Sequence, residues 1–390
     1  MTSAPTRWDL ARYFARLGTT GFGGPIALVG AMQRDLVEGS HWFSESEYSE
    51  GLALAQLAPG PLAAQLAIYL GWVRGGVAGA TLSGVAFVAP SFAMVLALSA
   101  AYVRFGGLPW MRGVFYGVSA AVIAVIARSA VTLARNSARH DALLWTLLVV
   151  NAVATLLARR ELVLLVVASG FTVVVVRSPA LRRSRATALS FVAWVPAWLL
   201  AGAVESASWR ASWRLFGFFA TAGSLVFGSG LAIIPFLYGG VVQDHHWLTE
   251  SQFLDAIAVA MITPGPVVIT VAFIGYLVDG TAGAIAAALG VFLPVYVTVV
   301  VIAPWFRRAL AHASVKLFVA GVTAAAVGAI AGAVVVLGER TITDWPAALI
   351  CLASMALLVA VKRLPAPALI AAAGAVGVLL AHWRLVPAST

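Results

Sequence analysis

Twice in this chain two prolines flank a glycine inside an oily stretch, at Ala58-Pro59-Gly60-Pro61 and at Thr263-Pro264-Gly265-Pro266. Proline lacks an N–H and clashes with the preceding helical turn, and glycine loosens the backbone further. Each triplet therefore breaks the helix that carries it. Where lipid is the solvent, every backbone group so released needs a partner inside the protein or a polar cavity. The second proline of each triplet suits the first position of a new helix. The free N–H groups and positive dipole end of that helix favour an anion.

That lipid is the solvent follows from composition. Hydrophobic residues make up 62% of the 390 residues and charged residues 10%, against about 25% charged in a soluble domain. The apolar runs lack the alternation of a membrane β-barrel, so the chain reads as an all-α polytopic membrane protein whose partner is the lipid bilayer. A single cysteine, Cys351, excludes an internal disulfide and lies in an apolar run as a packing residue. Of the 25 Lys and Arg, eighteen precede Leu215. The positive-inside bias of cytoplasmic loops accounts for this, with attraction of anions as the competing reading. No soluble basic domain exists to bind nucleic acid. Arg7, Arg12 and Arg16 precede the first apolar run, and no convincing cleavage site follows it. These features predict a multi-pass protein of the plasma (inner) membrane with a cytoplasmic N-terminus.

The first apolar segment covers 10–37, interrupted by Gly18, Gly21, Gly23, Gly24 and Pro25. After a polar loop, Ser44 and Glu47 have capping-box spacing for a helix that breaks at the first triplet and resumes to about Val73. Further segments cover 76–103, 110–134, 141–158, 161–176 and 188–204. The pattern then restarts: 215–240 carries Phe227-Gly228-Ser229-Gly230, Thr249 and Gln252 repeat the capping box, and the second triplet breaks the next helix before Val278. Segments 281–305, 315–337, 345–361 and 365–382 complete about 13.

At an offset of 205, residues 41–61 match 246–266 at nine of 21 positions, including both Pro-Gly-Pro triplets. Phe22-Gly23 matches Phe227-Gly228, and after one deletion Gly71, Gly79 and Pro90 match Gly275, Gly283 and Pro294. The chain is thus two homologous six-segment repeats, 1–187 and 211–390, joined by one extra membrane helix within 188–210. Equivalent segments are then an odd number of spans apart, which predicts an inverted repeat of the secondary-transporter kind. This requires each Pro-Gly-Pro segment to cross once; if each is a re-entrant hairpin, the same count makes the copies parallel. Charge favours the single crossing, placing 16 Lys and Arg inside and nine outside, against 14 and 11 with hairpins.

Gly21-Phe22-Gly23-Gly24-Pro25, Trp42 with its acidic helix start, Pro59-Gly60-Pro61 with Gln65, and Phe87 through Ser91 resemble the chromate ion transporter family in its long two-domain form. Trp247-Leu248-Thr249-Glu250, Thr263-Pro264-Gly265-Pro266 and Gly275-Tyr276 extend the likeness through the second half. Ala58 departs from the leucine expected before the first triplet. Phe227-Gly228-Ser229-Gly230 is looser than its first-half copy, which puts equal roles for the two halves in doubt. The resemblance implies export of chromate, driven by membrane potential or a proton gradient, with chromate resistance as the outcome. Sulfate, a near isostere, makes a sulfate or other oxyanion permease the alternative.

The candidate substrate-binding residues follow from the breaks. Gly23, Gly24 and Pro25 read as an unwound segment turning N–H groups to substrate, against close helix packing as the plainer reading. Gly228, Ser229 and Gly230 repeat it with a hydroxyl donor. Pro59, Gly60, Pro61, Pro264, Gly265 and Pro266 form the two breaks, with simple kinks as the alternative; Gln65 and Thr263 are candidate donors. Arg128, two turns from its helix end, is the candidate guanidinium clamp, against snorkelling to the interface. Glu50 and Asp255, at equivalent positions, repel chromate and are candidates for coupling or plain dipole partners. No spacing of the six histidines presents three metal ligands on one face, and neither a nucleophile elbow nor a nucleotide-binding loop occurs. No enzyme activity, cofactor or ATP-driven step is therefore expected, and a homodimer is left open.

Overall fold

The computed structural model describes residues 5–22, 24–105, 109–138, 141–159, 162–177, 210–225, 230, 233–302, 313–361 and 364–383. Each half begins with two helical hairpins. α1 (Arg7–Thr20) starts at a capping box made by Thr6 and Asp9. α2 (Gly24–Met32) and the π-helical turn Gln33–Gly39 run back beside it, so that Tyr13 Oη donates to Asp35 at 3.3 Å. α3 (Glu45–Leu57) opens on the Ser44–Glu47 capping box that the sequence predicts. α4 (Leu62–Phe105) starts after the first triplet, and its first arm, 62–75, returns along α3. Arg74 at the end of that arm donates to Glu47 at 2.9 Å and to the Trp42 carbonyl at 2.6 Å, beside the start of α3.

At Gly76, with φ of 57°, the chain reverses once more and α4 continues as a long second arm, 77–105. Only glycine adopts this φ without strain. The arms touch backbone to backbone, since a Cβ on Gly71 would stand 2.4 Å from the Gly79 carbonyl oxygen. α5 (Pro109–Ala138), α6 (Ala142–Ala158) and α7 (Val163–Arg177) complete the first half.

The second half follows the same order. α8 (Arg210–Leu225) is followed by α9 (Ile233–Leu237), which the π-helical turn Tyr238–Asp244 continues. α10 (Glu250–Ile262) opens on the Thr249–Gln252 capping box. The 3-10 turn Val267–Ile269 leads into α11 (Thr270–Val297), which reverses at Asp279 and Gly280 with Gly275 against Gly283. A π-helical turn, Thr298–Ile302, prolongs its second arm. α12 (Ala313–Thr341), α13 (Trp345–Ala360) and α14 (Ala366–His382) follow.

This geometry corrects two sequence expectations. The segment 10–37 and each Pro-Gly-Pro segment are expected to cross once; in the folded chain 7–39 and 45–75 each double back. At the triplets, Gly60 at φ 135° and Gly265 at φ 102° stand between prolines of fixed φ and stop the helix, and contacts across the hairpin, such as Arg74 with Glu47 and the Trp42 carbonyl, set the return direction. The count of about 13 spans therefore gives way to long helices plus hairpins. Among the described residues four helices are long and apolar enough to cross a membrane, Leu62–Phe105, Trp110–Ala138, Val267–Val301 and Ser314–Thr341. The expected joining helix, 188–204, lies outside the described residues.

The core has two main parts, and each half closes the other's. The first-half hairpins pack around Phe14, Met32, Leu66 and Phe87, with Val295 and Val299 of the α11 region completing the cluster. The second-half hairpins pack around Phe219, Tyr238, Phe253 and Phe273, completed by Val95 of α4 and by α5 from Val118 to Ala130.

Candidate functional site

The hairpin tips are where the halves meet. The Gly265 N–H donates to the Gly21 carbonyl at 2.8 Å, joining the second triplet to the tip of the α1–α2 hairpin. The Ser91 hydroxyl, on the long arm of α4, donates to the Gly18 carbonyl at 3.2 Å and lies directly against Gly265. In the reciprocal position Gly60 lies against Val295, on the long arm of α11. Thr263, Pro264, Gly265 and Pro266 are all buried, as are Ala58, Gly60 and Pro61.

The helices leaving these tips start in buried surroundings. In the first arm of α4 the Gln65 N–H is bonded to the Pro61 carbonyl at 3.0 Å. The amides of Leu62, Ala63 and Ala64 precede that bond and have no acceptor within the helix; all three residues are buried. The second break likewise closes its first turn with Ile269 N–H on Pro266 O at 2.9 Å. Positive dipole ends of two returning helices thus lie at buried tips.

The candidate donors are arranged differently from one another. Gln65 is fully buried, and its Nε2 donates to the Pro59 carbonyl at 2.5 Å and the Ala58 carbonyl at 3.3 Å, closing its own tip. The Thr263 hydroxyl donates to the Val259 carbonyl at 2.6 Å. Arg128 is half-buried on α5, just past the fully buried stretch around Ala124, and its buried Nη1 meets no acceptor among the described residues. Gly24 and Pro25 form the first turn of α2, and Gly230 is buried 3.1 Å, measured from its missing Cβ, from Val268. Gly23, Gly228 and Ser229 lie outside the described residues. Asp255 is buried and accepts from Tyr102 Oη at 2.8 Å, whereas its repeat equivalent Glu50 is partly exposed.

A cleft of about 370 Å³ opens between α1 and α2 and ends at Gly21 and Phe22. Arg16 and Arg34 line it together with Tyr13, Thr20 and Asp35. Arg34 pairs with Asp35 at 3.4 Å, which leaves Arg16 as the cleft's second guanidinium. Sequence reasoning places neither Arg16, Gly21 nor Ser91 in the site. Gly21 and the Phe87–Ser91 stretch stand in the motifs, but only folding brings them against the second triplet. Another cleft, of about 630 Å³, is lined by Gln243, His246, Thr249, Glu250 and Arg340 near the start of α10.

Long apolar helices with buried, hairpin-forming breaks between them define a multi-pass helical membrane protein. The sequence profile of the chromate transporter family matches residues 8–174 and again residues 213–378, and the chain belongs to that family. The chain is 54% identical over 373 residues to the chromate transport protein of Cupriavidus metallidurans, covering 95% of this chain and 92% of the relative. It is 51% identical to a probable chromate transport protein of Synechococcus elongatus, covering 95% of each. To the chromate transport protein of Pseudomonas aeruginosa it is 31% identical, over 96% of this chain and 91% of the relative. No solved structure matches.

Proposed function

We propose that this protein carries chromate out of the cell as a secondary transporter, driven by membrane potential or a proton gradient, and so confers chromate resistance. The observation that carries the reading is the buried junction of Gly265 with Gly21, where the second broken helix meets the tip of the first-half hairpin. Oriented amides in a dry site bind an oxyanion without cost of reorganisation. In this reading Gly23, Gly24, Pro25 and the two triplets shape the binding site with Gly228, Ser229 and Gly230. Arg128 supplies charge, because its buried Nη1 meets no acceptor among the described residues and needs one. The α1–α2 cleft, with Arg16 and Arg34, is the approach from the face that holds Arg7. Gln65 and Thr263 act by holding the tips. Sulfate is the alternative substrate; the names of the relatives favour chromate.

The two halves, 1–187 and 211–390, are read as inverted repeats joined through 188–210. Gly60 with Val295 and Gly265 with Ser91 are the same contact exchanged between halves, as a two-fold relation requires. Two further contacts support inversion. Thr81, early in its long arm, meets Tyr296, late in its own, at 2.6 Å. Tyr102, late in the same α4 arm, meets Asp255 near the start of α10. Parallel halves would hold these residues at different depths. Two hairpins in each half, rather than one, leave the spacing of the halves odd. The arginine-rich face of Arg7, Arg12, Arg16, Arg34 and Arg74 is assigned to the cytoplasm of the inner membrane.

Radiolabelled chromate flux in inverted vesicles, with potential and pH gradient imposed separately and sulfate as competitor, tests the reading. Gradient-driven chromate accumulation that the double substitution Gly23→Leu/Gly24→Leu abolishes is the expected result. Absence of chromate movement under either gradient overturns it, and stronger uptake of sulfate than of chromate replaces it with the alternative.

A further inference from the structure

The α10 helix carries an acid that the transport path does not use. Asp255 is 3% exposed within the second-half core cluster. Its Oδ2 accepts from Tyr102 Oη, and the Ser119 side chain is its second polar neighbour. Its Oδ1 is buried and meets no partner among the described residues. A charged carboxylate in that state bears most of its desolvation cost, since two neutral hydroxyl neighbours leave one oxygen without a bond among the described residues.

Among the described residues, the side chains that touch Asp255 or line its cluster include no cation. α4 presents Tyr102, whose ring stands between Phe115 and Phe273. α5 presents Ser119; α11 presents Phe273; α14 contributes Leu369 and Ile370 to the same cluster. The charged groups nearest along α10 are at its mouth, where Glu250 pairs with Arg340 of α12 and accepts from Tyr238 at 3.0 Å. Among these groups the one that meets an Asp255 oxygen and titrates is Tyr102, a neutral donor.

The acid sits between the halves: Tyr102 and Ser119 belong to the first, Asp255 to the second. Any relative movement of the α10 hairpin against α4 and α5 opens the Tyr102–Asp255 contact and admits water to the carboxyl. Asp255 lies in α10 and Thr263 caps the C-terminal end of that helix, about 12 Å away at 1.5 Å per residue. Movement at the anion junction and exposure of the acid are thus mechanically the same event.

We propose that Asp255, seated on Tyr102 and Ser119, is the group that takes up and releases the proton coupled to anion movement. The inference rests on the transport reading above and selects Asp255 over its repeat equivalent Glu50. With the halves closed, Asp255 holds the proton as a neutral acid; with α10 displaced, the proton leaves to water and the carboxylate hydrates.

The test separates coupling from transport in vesicles holding the full chain. Chromate counterflow at equal pH on both sides measures movement alone; accumulation driven by an imposed pH gradient measures coupling. For Asp255→Asn we expect counterflow to persist while gradient-driven accumulation falls by ~10-fold or more, the scale of an ordinary coupling free energy. Asp255→Glu keeps the response to the gradient, and Tyr102→Phe shifts the pH at which flux is half-maximal. Glu50→Gln responds to the gradient as the parent chain does. An Asp255→Asn protein that still accumulates chromate with the pH gradient overturns the proposal. So does a parent chain driven by potential but indifferent to pH, and that result leaves the transport reading standing. Should Asp255→Asn fail to reach the membrane, an unshifted pH profile in Tyr102→Phe overturns it. Absence of counterflow in the parent chain refutes the transport reading instead.

Discussion

Gly265 donates its backbone N–H to the carbonyl of Gly21 at 2.8 Å, across the boundary between the two halves of the chain. The contact exists because Gly265 has no side chain: a Cβ there would stand 1.9 Å from the Ser91 hydroxyl, at a φ of 102°. Gly265→Ala therefore combines a steric clash with backbone strain of about 1–3 kcal/mol. We expect it to lower the thermal unfolding temperature in detergent and to abolish chromate efflux. Adding Ser91→Gly removes the clash but leaves the φ, so recovery is partial in both assays.

A buried guanidinium N–H of Arg128 meets no acceptor among the described residues. A charge-assisted bond to an oxyanion is worth about 1.5–3 kcal/mol, so Arg128→Ala weakens chromate binding by roughly 10–100-fold. Arg128→Lys keeps the charge but not the flat, forked donor set, and most of the loss remains. Equilibrium binding of radiolabelled chromate to purified protein, with membrane abundance measured in parallel, checks this. Wild-type binding by Arg128→Ala at normal abundance removes Arg128 from the site.

Inversion makes a prediction about sidedness. Ser46 and Ser251 are equivalent by the repeat and both exposed at the starts of α3 and α10. In a Cys351→Ser background, Ser46→Cys and Ser251→Cys react with a membrane-impermeant maleimide from opposite faces. Labelling of both from one face means the halves are parallel.

The Arg74–Glu47 pair, at 2.9 Å, closes the open end of the α3–α4 hairpin. Burial opposes the Glu47 charge, but the Ser44 amide and hydroxyl and the Arg74 guanidinium outweigh it and hold this carboxyl below its ordinary value. A lowered folded-state value means that stability is present above the unfolded value and is lost as pH falls through the folded one. Unfolding temperatures of the parent chain and of Glu47→Gln should therefore differ at neutral pH and converge in acid. A gap that persists into acid places the contribution elsewhere.

Much of this protein was legible without coordinates. The apolar excess named the solvent, Ser44–Glu47 and Thr249–Gln252 marked two helix starts, and the matching triplets revealed the duplication. These are local or statistical properties, carried by residues within a few positions of each other or repeated at one offset. The hairpins are not legible in the sequence because a proline–glycine break specifies that a helix stops, not the angle at which the next one leaves. That angle is set by Arg74 reaching Trp42 and Glu47; Gly71 closing on Gly79 holds the separate reversal at Gly76. Composition and pattern alone thus determined a duplicated helical membrane protein with two broken helices. Which residues meet at the breaks was decided by tertiary structure: Gly21, Ser91 and Val295 are remote from the triplets along the chain, and only packing one half against the other puts them there.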